Sequence, residues 1–398
     1  MALSLTLLAL ALLGPIMLAF ATLADTELSI AANQLRASQA RALAESGFEY
    51  GLRTLSRAIL ADAADPLLSG PVAPPPLDGR TFIALARTGG FTVRVAHAPG
   101  GDAQVRTITA VGWTPTDNPL DMRIKARRQI AADVVAIPHP GARAPCALCV
   151  NGPLNLSGSV TIEGANPDRA CGEDLKYGTV TRDETTVGGP VAISGGAGGS
   201  AQHRPSADFD PVTFSPAVLD ALKTLARRNG TYFGPGFPTG GWTGDGRTTW
   251  SGRVTFDAAN PLPDGVVFVD TTDGHHVDPQ GSTFSTLAGA RIGDGALAPP
   301  AEAFRGWLIV NGSLEIAAGL AIRGLVYALD SLTYQAGGPG SIEGLALALN
   351  VQNTLGARIA PTAGGSMTIR FDCGHAGAGD RVPHGFILAR GSYREASD

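Results

Sequence analysis

Cysteine spacing offers the clearest candidate chemistry in this chain of 398 residues. Cys146 and Cys149 form a Cys-x-x-Cys motif, and the other two cysteines are Cys171 and Cys373. In an oxidising compartment such residues form structural disulfides, which we predict here, although the sequence does not select among the three possible connectivities. The alternatives are free thiols, a redox motif, and a metal site formed by Cys146, Cys149 and Cys171 with either Cys373 or His375.

The densest group of titratable side chains is Asp273-Gly274-His275-His276-Val277-Asp278. Such a group could bind a cation or exchange protons, but it is also typical of an exposed turn between strands. The sequence contains no nucleophile-elbow, zincin or dinucleotide-binding motif. We therefore predict no catalytic, cofactor-binding or metal-binding residue, and a protein that is not an enzyme.

Composition excludes two broad classes of protein. Charged residues make up 16% of the chain and hydrophobic residues 44%, which is not the composition of a disordered chain. The net charge of −5 and the scattered Lys and Arg residues give no basic surface for a nucleic acid. The 52 Gly and 28 Pro residues favour many short strands joined by tight turns.

Residues 1–24 carry no charged side chain and are long enough to span a bilayer as a helix. A helical apolar stripe continues through 25–65, which predicts one long helix whose amphipathic second half lies outside the membrane. A cleaved signal peptide is the alternative, but the basic region that begins such peptides is missing. The residues expected in the bilayer or at the membrane exit are Leu5, Leu8, Leu12, Pro15, Ile16, Phe20, Glu27, Leu28 and Leu35.

Three stretches of this helix form a recognisable pattern. They are Thr26-Glu27-Leu28, Ala32-Asn33-Gln34 and the run from Ala42 to Tyr50, which reads Ala-Leu-Ala-Glu-Ser-Gly-Phe-Glu-Tyr. Together with the apolar start, they resemble the N-terminal region of PilX-type minor pilins. The resemblance implies a protein of type IV pili or related pseudopili that contacts other pilin subunits through this helix. It also implies an inner-membrane anchor with an extracytoplasmic C-terminal domain.

Two features depart from that family's pattern. The sequence shows no short basic leader that ends in Gly, which leaves open a leader upstream of Met1. Position 5 is Leu5, where major pilins carry a glutamate. Subunits at the pilus tip are those that can lack this glutamate, so the resemblance implies a tip or accessory role in assembly, display or adhesion.

The helix is followed by a proline-rich segment and then by strand-like runs. Five prolines in 66–79 predict a stiff, extended linker. Residues 80–137 then predict a small antiparallel sheet packed on the exposed half of the helix, as in a pilin head. The predicted strands are Thr81–Arg87, Phe91–Ala98, Val105–Trp113 and Met122–Ile137.

An internal repeat marks residues 145–398. The segment Val150–Gly164 matches Val310–Gly324 without a gap, and Ile322–Ala328 recurs 20 residues later as Ile342–Ala348. Alternating apolar positions with this period are typical of stacked β-solenoid rungs, each of which buries its inner face only against its neighbours. A Greek-key sandwich is the alternative.

A helix is predicted over 216–228, with Ser215 as its N-cap and Asn229-Gly230 as its end, and we expect it to cover one end or side of the stack. The predicted fold class is therefore α+β. It comprises a long N-terminal pilin-like helix with a small antiparallel sheet, followed by a mainly β, solenoid-like domain.

These features predict a membrane-anchored, pilin-like surface protein without a cofactor. Its expected partners are other pilin subunits, the membrane, and a surface glycan or host ligand. One alternative is a carbohydrate-binding or carbohydrate-cleaving surface β-helix, in which Tyr232, Phe233, Trp242 and Trp250 could stack on sugars or be buried in a core. The other alternative is a secreted β-helix unrelated to pili.

Overall fold

The computed structural model describes residues 2–61, 70–85, 89–98, 102, 104–114, 126–165, 176–196, 199–203, 213–236, 250–277, 284–297, 302–377, 381–383 and 385–396. The chain divides into two units, of which the first combines residues 1–136 with 385–398 and the second spans 137–384. The sequence predicted a second domain that continues to residue 398. In the structure the last segment of the chain belongs to the first unit instead.

The elements are numbered in chain order. The helices are α1 (Ala2–Ala61), α2 (Pro140–Arg143), α3 (Pro216–Asn229) and α4 (Cys373–Ala376). The strands are β1 (Asp78–Ala84), β2 (Gly90–His97), β3 (Val105–Thr114), β4 (Ala126–Ile137), β5 (Cys146–Val150), β6 (Leu154–Ser157), β7 (Ser159–Glu163), β8 (Tyr177–Thr181), β9 (Thr185–Gly188), β10 (Val191–Ser194), β11 (Ala201–His203), β12 (Tyr232–Phe233), β13 (Arg253–Phe256), β14 (Gly265–Val269), β15 (Ala288–Ile292), β16 (Ala303–Val310), β17 (Gly312–Ile316), β18 (Ala321–Ala328), β19 (Leu332–Tyr334), β20 (Pro339–Ala348), β21 (Ala357–Ile359), β22 (Ser366–Phe371), β23 (Gly385–Leu388) and β24 (Arg394–Ala396).

Helix α1 is 60 residues long, which corresponds to about 90 Å at the usual rise per residue. It continues without interruption through Pro15 and through the change from apolar to amphipathic sequence near Asp25. The sequence predicted a helix that extends to residue 65, and the part of that prediction beyond Ala61 lies outside the described residues.

Strands β1 to β4 form an antiparallel sheet in sequential order. Both C-terminal strands, β23 and β24, lie beside β4. The sheet therefore combines four strands that follow α1 with two from the end of the chain. Strands β2 and β3 begin and end within one residue of their predicted positions, and β1 lies three residues earlier than predicted at both ends. Strand β4 ends where predicted, and its predicted start at Met122 falls outside the described residues.

The predicted linker over 66–79 differs from the structure in its described part. Val72 forms a bridge with Ala96, and the amide of Ala73 donates to the carbonyl of Val95 at 2.9 Å. Ala73 and Leu77 are buried in the core of the first unit. A turn follows, in which the amide of Leu77 donates to the carbonyl of Pro74 at 3.0 Å. The segment therefore pairs with β2 and then turns, instead of acting as a free, extended spacer.

The second half of α1 covers one face of the antiparallel sheet with small residues. Ala40 and Ala44 are fully buried, and Gly47 and Gly51 continue the same stripe. Because these residues have little or no side chain, the helix axis approaches the sheet closely. The hydrophobic core of the first unit consists of Ala44, Phe48, Leu55, Ala73, Leu77, Phe91, Val93, Val95, Ile108, Ala110, Ile130, Ala132, Val134, Ala136 and Phe386.

The described strands of the second unit pair in parallel. One sheet runs in the order β10-β7-β22-β20-β18-β16-β14-β12, with β5, β8 and β11 joined to it through β20. Another sheet runs β13-β15-β17-β19-β21-β6-β9. Strands of eight to ten residues, such as β18 and β20, have different neighbours along their two halves. The first halves belong to the same row as β22, and the second halves belong to the same row as β14 and β5.

The repeat found in the sequence corresponds to strand register. Ile322 pairs with Ile342, and Gly324 pairs with Gly344, so the 20-residue period is one step between adjacent strands. The longer match also follows register, since the row that begins at Val310 continues through Ala328 and Ala348 to Val150. Residues that matched in the sequence therefore occupy equivalent positions in successive strands.

A row of four glycines crosses the larger parallel sheet. Gly265, Gly306, Gly324 and Gly344 are consecutive register partners, and each has a positive φ, between 98° and 156°. A Cβ on Gly324 would lie 1.8 Å from the carbonyl oxygen of Gly306. The long strands can bend at this row only because no side chain is present there.

The order of strands in the second unit differs from their order in the chain. Strand β5 pairs with β20, and β6 pairs with β21, although about 200 residues separate the partners of each pair in the sequence. The first strands of the unit therefore continue the stack beyond its last long strands, and β9, β10 and β11 extend it further.

Helix α3 packs at the opposite end of the larger sheet, against β12 and β14. The Ser215 side chain accepts a hydrogen bond from the amide of Val218, and Gly230 ends the helix at a φ of 72°. Val218, Leu219, Leu222 and Ala226 are buried. The predicted helix over 216–228 is thus present, and it covers an end of the sheet.

Candidate assembly helix

The first half of α1 presents large apolar side chains that remain exposed. The exposed fraction is 68% for Phe20 and 70% for Leu28, and Leu18 reaches 72%. In the part of the chain that the structure describes, α1 is the one helix long and apolar enough to cross a bilayer, and its most apolar window has no buried residue. By its length and composition, this helix could anchor in a membrane.

The residues that the sequence predicted for the membrane all lie on α1. Pro15, Ile16, Phe20, Glu27, Leu28 and Leu35 are exposed on its first half, and Leu5, Leu8 and Leu12 lie where side chains are outside the described part of the structure. Pro15 has no amide hydrogen, so it cannot donate to the carbonyl four residues earlier. Membrane helices tolerate such a residue when a neighbouring helix supplies the missing hydrogen bond.

Hydroxyl groups on this half of the helix bond to the helix itself. Thr22 donates to the carbonyl of Ala19 at 2.9 Å, and Thr26 donates to that of Leu23 at 2.7 Å. Their donor hydrogens therefore need no water, which is the arrangement an apolar environment requires. The first charged side chains, Asp25 and Glu27, mark the end of the apolar segment.

Arg41 marks the point where the sheet begins to cover α1. Its Nε lies 3.0 Å from Glu45 on the same helix and 3.7 Å from Glu395 on β24. The hydrogen bond with Glu45 raises the pKa of Arg41 above its ordinary value, and the charge of Glu395 adds to the effect. These groups are well exposed, so water screens them, but they bring the C-terminal strand to the helix.

The predicted disulfide is found within the Cys-x-x-Cys motif. Cys146 and Cys149 are bonded to each other, with their Cα atoms 5.7 Å apart, and both are fully buried on β5. Cys373 is also buried and disulfide-bonded, while Cys171 lies outside the described residues. The ring of His375 faces Asp372 at 3.5 Å and Glu343 at 3.7 Å instead of a thiolate metal site. Within the described ranges no three His, Cys, Asp or Glu residues are arranged to hold a metal ion.

The titratable group around Asp273 is divided between a turn and a helix contact. Asp273 accepts a hydrogen bond from the amide of His275, which stabilises the turn. His276 instead lies 3.0 Å from Asp220 on α3. The hydrogen bond with His276 lowers the pKa of Asp220, and burial opposes that shift. Asp278 is not among the residues that the structure describes, and the described members have structural partners.

A buried polar cluster at the end of α3 was missed by sequence reasoning. Asp270 is fully buried, and its Oδ2 lies 2.8 Å from Nζ of Lys223, whose side chain is 6% exposed. Tyr232 donates to the same Oδ2 at 2.8 Å, and Asn311 donates to Oδ1 at 3.0 Å. Burial, followed by the charge of Asp270, raises the pKa of Tyr232 to about 12. One signal was available: Lys223 falls on the apolar face of α3, where a lysine is unexpected.

The aromatic residues near the middle of the chain have structural roles where they are described. Tyr232 and Phe233 are buried, and Phe233 meets the edge of Phe256 with ring centres 5.2 Å apart. Trp250 donates from its indole nitrogen to the carbonyl of Thr271 at 3.0 Å. Trp242 falls outside the described residues. The described members therefore belong to the core or its edge and do not form a stacking surface for sugars.

A polar groove of about 800 Å³ runs along the smaller parallel sheet. Charged, amide and hydroxyl side chains form most of its wall, and Phe284 and Leu355 add apolar surface. The main polar lining residues are Arg253, Arg291, Glu315, Thr333, Gln335 and Gln352.

Comparison with solved structures finds a likeness to a pilin. The competence-associated pilin ComZ from Thermus thermophilus matches over 91% of this chain and 98% of its own, at 12% identity and a TM-score of 0.25. At that score the two chains need not share a fold. No protein-family model and no curated protein matches the chain.

Proposed function

We propose that this chain is a membrane-anchored, pilin-like subunit of the PilX-type minor class, with an assembly or tip role in a type IV pilus or related filament. The observation that carries the proposal is the division of α1 into two halves. The second half packs under an antiparallel sheet through Ala40, Ala44, Gly47 and Gly51. The first half leaves a long apolar surface uncovered, as a helix that moves between a bilayer and a bundle of like helices must.

Compartment chemistry supports an extracytoplasmic location for both units. The bonded pair Cys146–Cys149 is a structural, buried disulfide, and such bonds persist in oxidising compartments. With the uncharged end of α1 in the inner membrane, the sheet and the second unit lie on the outer side. We propose that the second unit is a β-solenoid displayed at the surface, because its parallel strands repeat in register at the period found in the sequence.

A structural role, and not catalysis, is part of the proposal. The buried Asp270 and Lys223 contact one another and are closed to a substrate, and the other described members of the titratable group stabilise a turn or a helix. In this proposal the functional parts of the protein are its surfaces. Helix α1 contacts other subunits, and the second unit binds a ligand.

The proposal is tested with the full chain in its own cells. Phe20→Glu introduces a charge into the exposed apolar half of α1. The cost of a charged residue in membrane insertion is about 3 kcal/mol at the centre of a membrane-spanning helix and smaller toward the end of the spanning segment, where Phe20 lies. Leu355→Glu is the matched control, because Leu355 is similarly exposed, at 63%, but lies in the second unit. We expect Phe20→Glu alone to reduce the amount of chain in the membrane and sheared-filament fractions.

Equal recovery of both variants in those fractions would contradict the proposal.

The N-terminal sequence of the purified native protein separates the proposal from a secreted β-helix. Retention of the apolar half of α1 supports the anchor, whereas a soluble product that begins near Thr22 or Asp25 removes it.

Glycan binding by the second unit is a second candidate function, favoured by the polar groove beside Phe284. A glycan array probed with the full chain tests it, with Phe284→Ala and Gln352→Ala as groove variants. Binding that both variants weaken supports the groove, and binding that neither changes assigns any glycan contact elsewhere. A clearance assay on the bound glycan then distinguishes binding from cleavage.

A further inference from the structure

The Lys223–Asp270 contact is unusual because both groups are shielded from water. The Asp270 carboxylate is fully buried, and the Lys223 ammonium is nearly so. Nζ also lies 5.7 Å from the centre of the Phe268 ring. Removing an ammonium and a carboxylate from water is unfavourable, and their mutual attraction only partly offsets that cost.

We propose that Lys223 and Asp270 join through an intramolecular amide bond between Nζ and Cγ. The nucleophile and the acyl group are already in contact, since Nζ lies 2.8 Å from Oδ2. A buried pair held in contact has no translational entropy left to lose before reaction. The bond needs no cofactor or external reactant.

The reaction is a condensation that releases one water molecule. A proton passes from the Lys223 ammonium to Oδ2, which leaves a neutral amine and a neutral carboxyl. Nζ then attacks Cγ, and the electron pair of the carbonyl moves onto Oδ1. A second proton passes from Nζ to Oδ2, the bond between Cγ and Oδ2 breaks, and Oδ2 departs as water while the carbonyl re-forms.

Donors around Asp270 match the charges that this path develops. The backbone amide of Thr271 donates to Oδ1 at 2.9 Å, and Asn311 donates to it at 3.0 Å. These two groups form an oxyanion site for the tetrahedral intermediate. On the other oxygen, the Tyr232 hydroxyl donates to Oδ2 at 2.8 Å and so stabilises the departing group.

The hydrogen bonds of the product are already present. An amide between these side chains keeps one N–H and one carbonyl oxygen. Nζ already donates to the carbonyl of Gly274 at 2.9 Å, and Oδ1 already accepts from Thr271 and Asn311. Tyr232 loses Oδ2 as an acceptor but keeps the donor Arg227 at 3.0 Å. The N–H and the carbonyl oxygen of the amide would therefore find their hydrogen-bond partners already in place.

The bond would fasten α3 to the end of β14. It would close a covalent loop from Lys223 to Asp270, and cross-links of this kind limit the freedom of the unfolded chain. Strands at an end of a parallel stack have a neighbour on one side only and separate most easily. A covalent bond there would oppose that separation.

Intact mass spectrometry of the denatured full chain, purified from its own cells with disulfides preserved, tests the proposal. We expect a mass lower than that of the disulfide-bonded sequence by one water. Proteolysis should also release a branched peptide that joins a fragment of α3 to a fragment containing Asp270. Lys223→Arg keeps the positive charge but lacks the amine, and it should have its full sequence mass.

Wild-type protein that has its full sequence mass and yields no branched peptide would overturn the proposal, whatever the variants do. A missing water that persists in Lys223→Arg would also overturn it, because the loss would then arise elsewhere. If Lys223→Arg fails to accumulate, Asn311→Ala provides a second variant that keeps both reacting groups. It removes one oxyanion donor, so a several-fold slower approach to the lower mass after synthesis is expected, and an unchanged rate would count against the assigned path.

Discussion

Gly51 of α1 lies against Val93 of β2 so closely that a Cβ on the glycine would stand 2.9 Å from Cγ1 of the valine. The same relationship holds one turn earlier, where a Cβ on Gly47 would stand 2.9 Å from the Phe91 ring. The helix therefore packs on the sheet through glycines. Even a methyl group at these positions would force neighbouring side chains or the helix to move.

Gly51→Val should destabilise the first unit by about 1–3 kcal/mol, because the added branches overlap Val93 and Ile108. The measurement is thermal unfolding of the full chain in detergent. Gly14→Ala on the same helix is the control, since a Cβ there meets no atom within 4 Å. A Gly51→Val protein that unfolds together with wild type would mean that helix and sheet are not packed as described.

Gly324→Ala should destabilise the second unit by about 3 kcal/mol or more. The substitution combines a φ of 156° with a Cβ 1.8 Å from the Gly306 carbonyl oxygen. Gly338→Ala is the matched control in the same unit, because its Cβ would make an ordinary contact at 3.7 Å. Denaturant unfolding compares the two, and equal midpoints would exclude the close approach of the strands at this row.

The contact between Asp220 and His276 predicts a small pH effect on α3. His276 lowers the pKa of Asp220 below its ordinary 3.8, so the pair contributes stability above that pH and loses it as pH falls through the lowered value. The protein with His276→Gln should therefore lose less unfolding free energy than wild type when the pH falls from about 5 to about 2. Because Asp220 is 64% exposed, the effect is screened by water. A pH profile unchanged in the variant would contradict the contact.

Cys146 and Cys149 should resist alkylation in denaturant until a reductant is added, because they are bonded to each other. Replacing both with Ala should lower the free energy of unfolding by about 2 kcal/mol, the effect expected for a short loop. Peptide mapping after alkylation checks the first statement, and denaturant unfolding checks the second. Alkylation of either cysteine before reduction would contradict the pairing.

Elements with a strong local signal were predictable from the sequence. The apolar run and its helical continuation predicted α1, Ser215 and Gly230 delimited α3, and the repeated Ile-x-Gly predicted that Ile322 and Ile342 share a row. Each signal lies within a short window, where backbone hydrogen bonding and side-chain periodicity determine the outcome.

Long-range pairings carried no such signal. Nothing near Arg394 distinguishes a strand that joins β4 from one that joins a neighbouring repeat, because edge strands of three or four residues have little pattern of their own. The Lys223–Asp270 contact was missed for a related reason: the position of Lys223 on the apolar face of α3 indicates a buried partner, but only the fold shows that the partner is Asp270. The exposure of Phe20 and Leu28 was predictable, since the apolar half of α1 extends beyond the part of the helix that the sheet covers.

The strand order has a consequence in time. Residues 146–157 are synthesised long before 339–359, yet the two segments pair directly. The first unit has the same property, because β4 pairs with the late strand β24. A chain threaded across a membrane from its N-terminus would therefore hold both units unfinished until nearly all of it had crossed, with open strand edges exposed meanwhile. Both units could then complete their folding only after the whole chain had crossed. A chaperone that bound the unpaired strand edges during export would act mainly on the segment between β5 and β11.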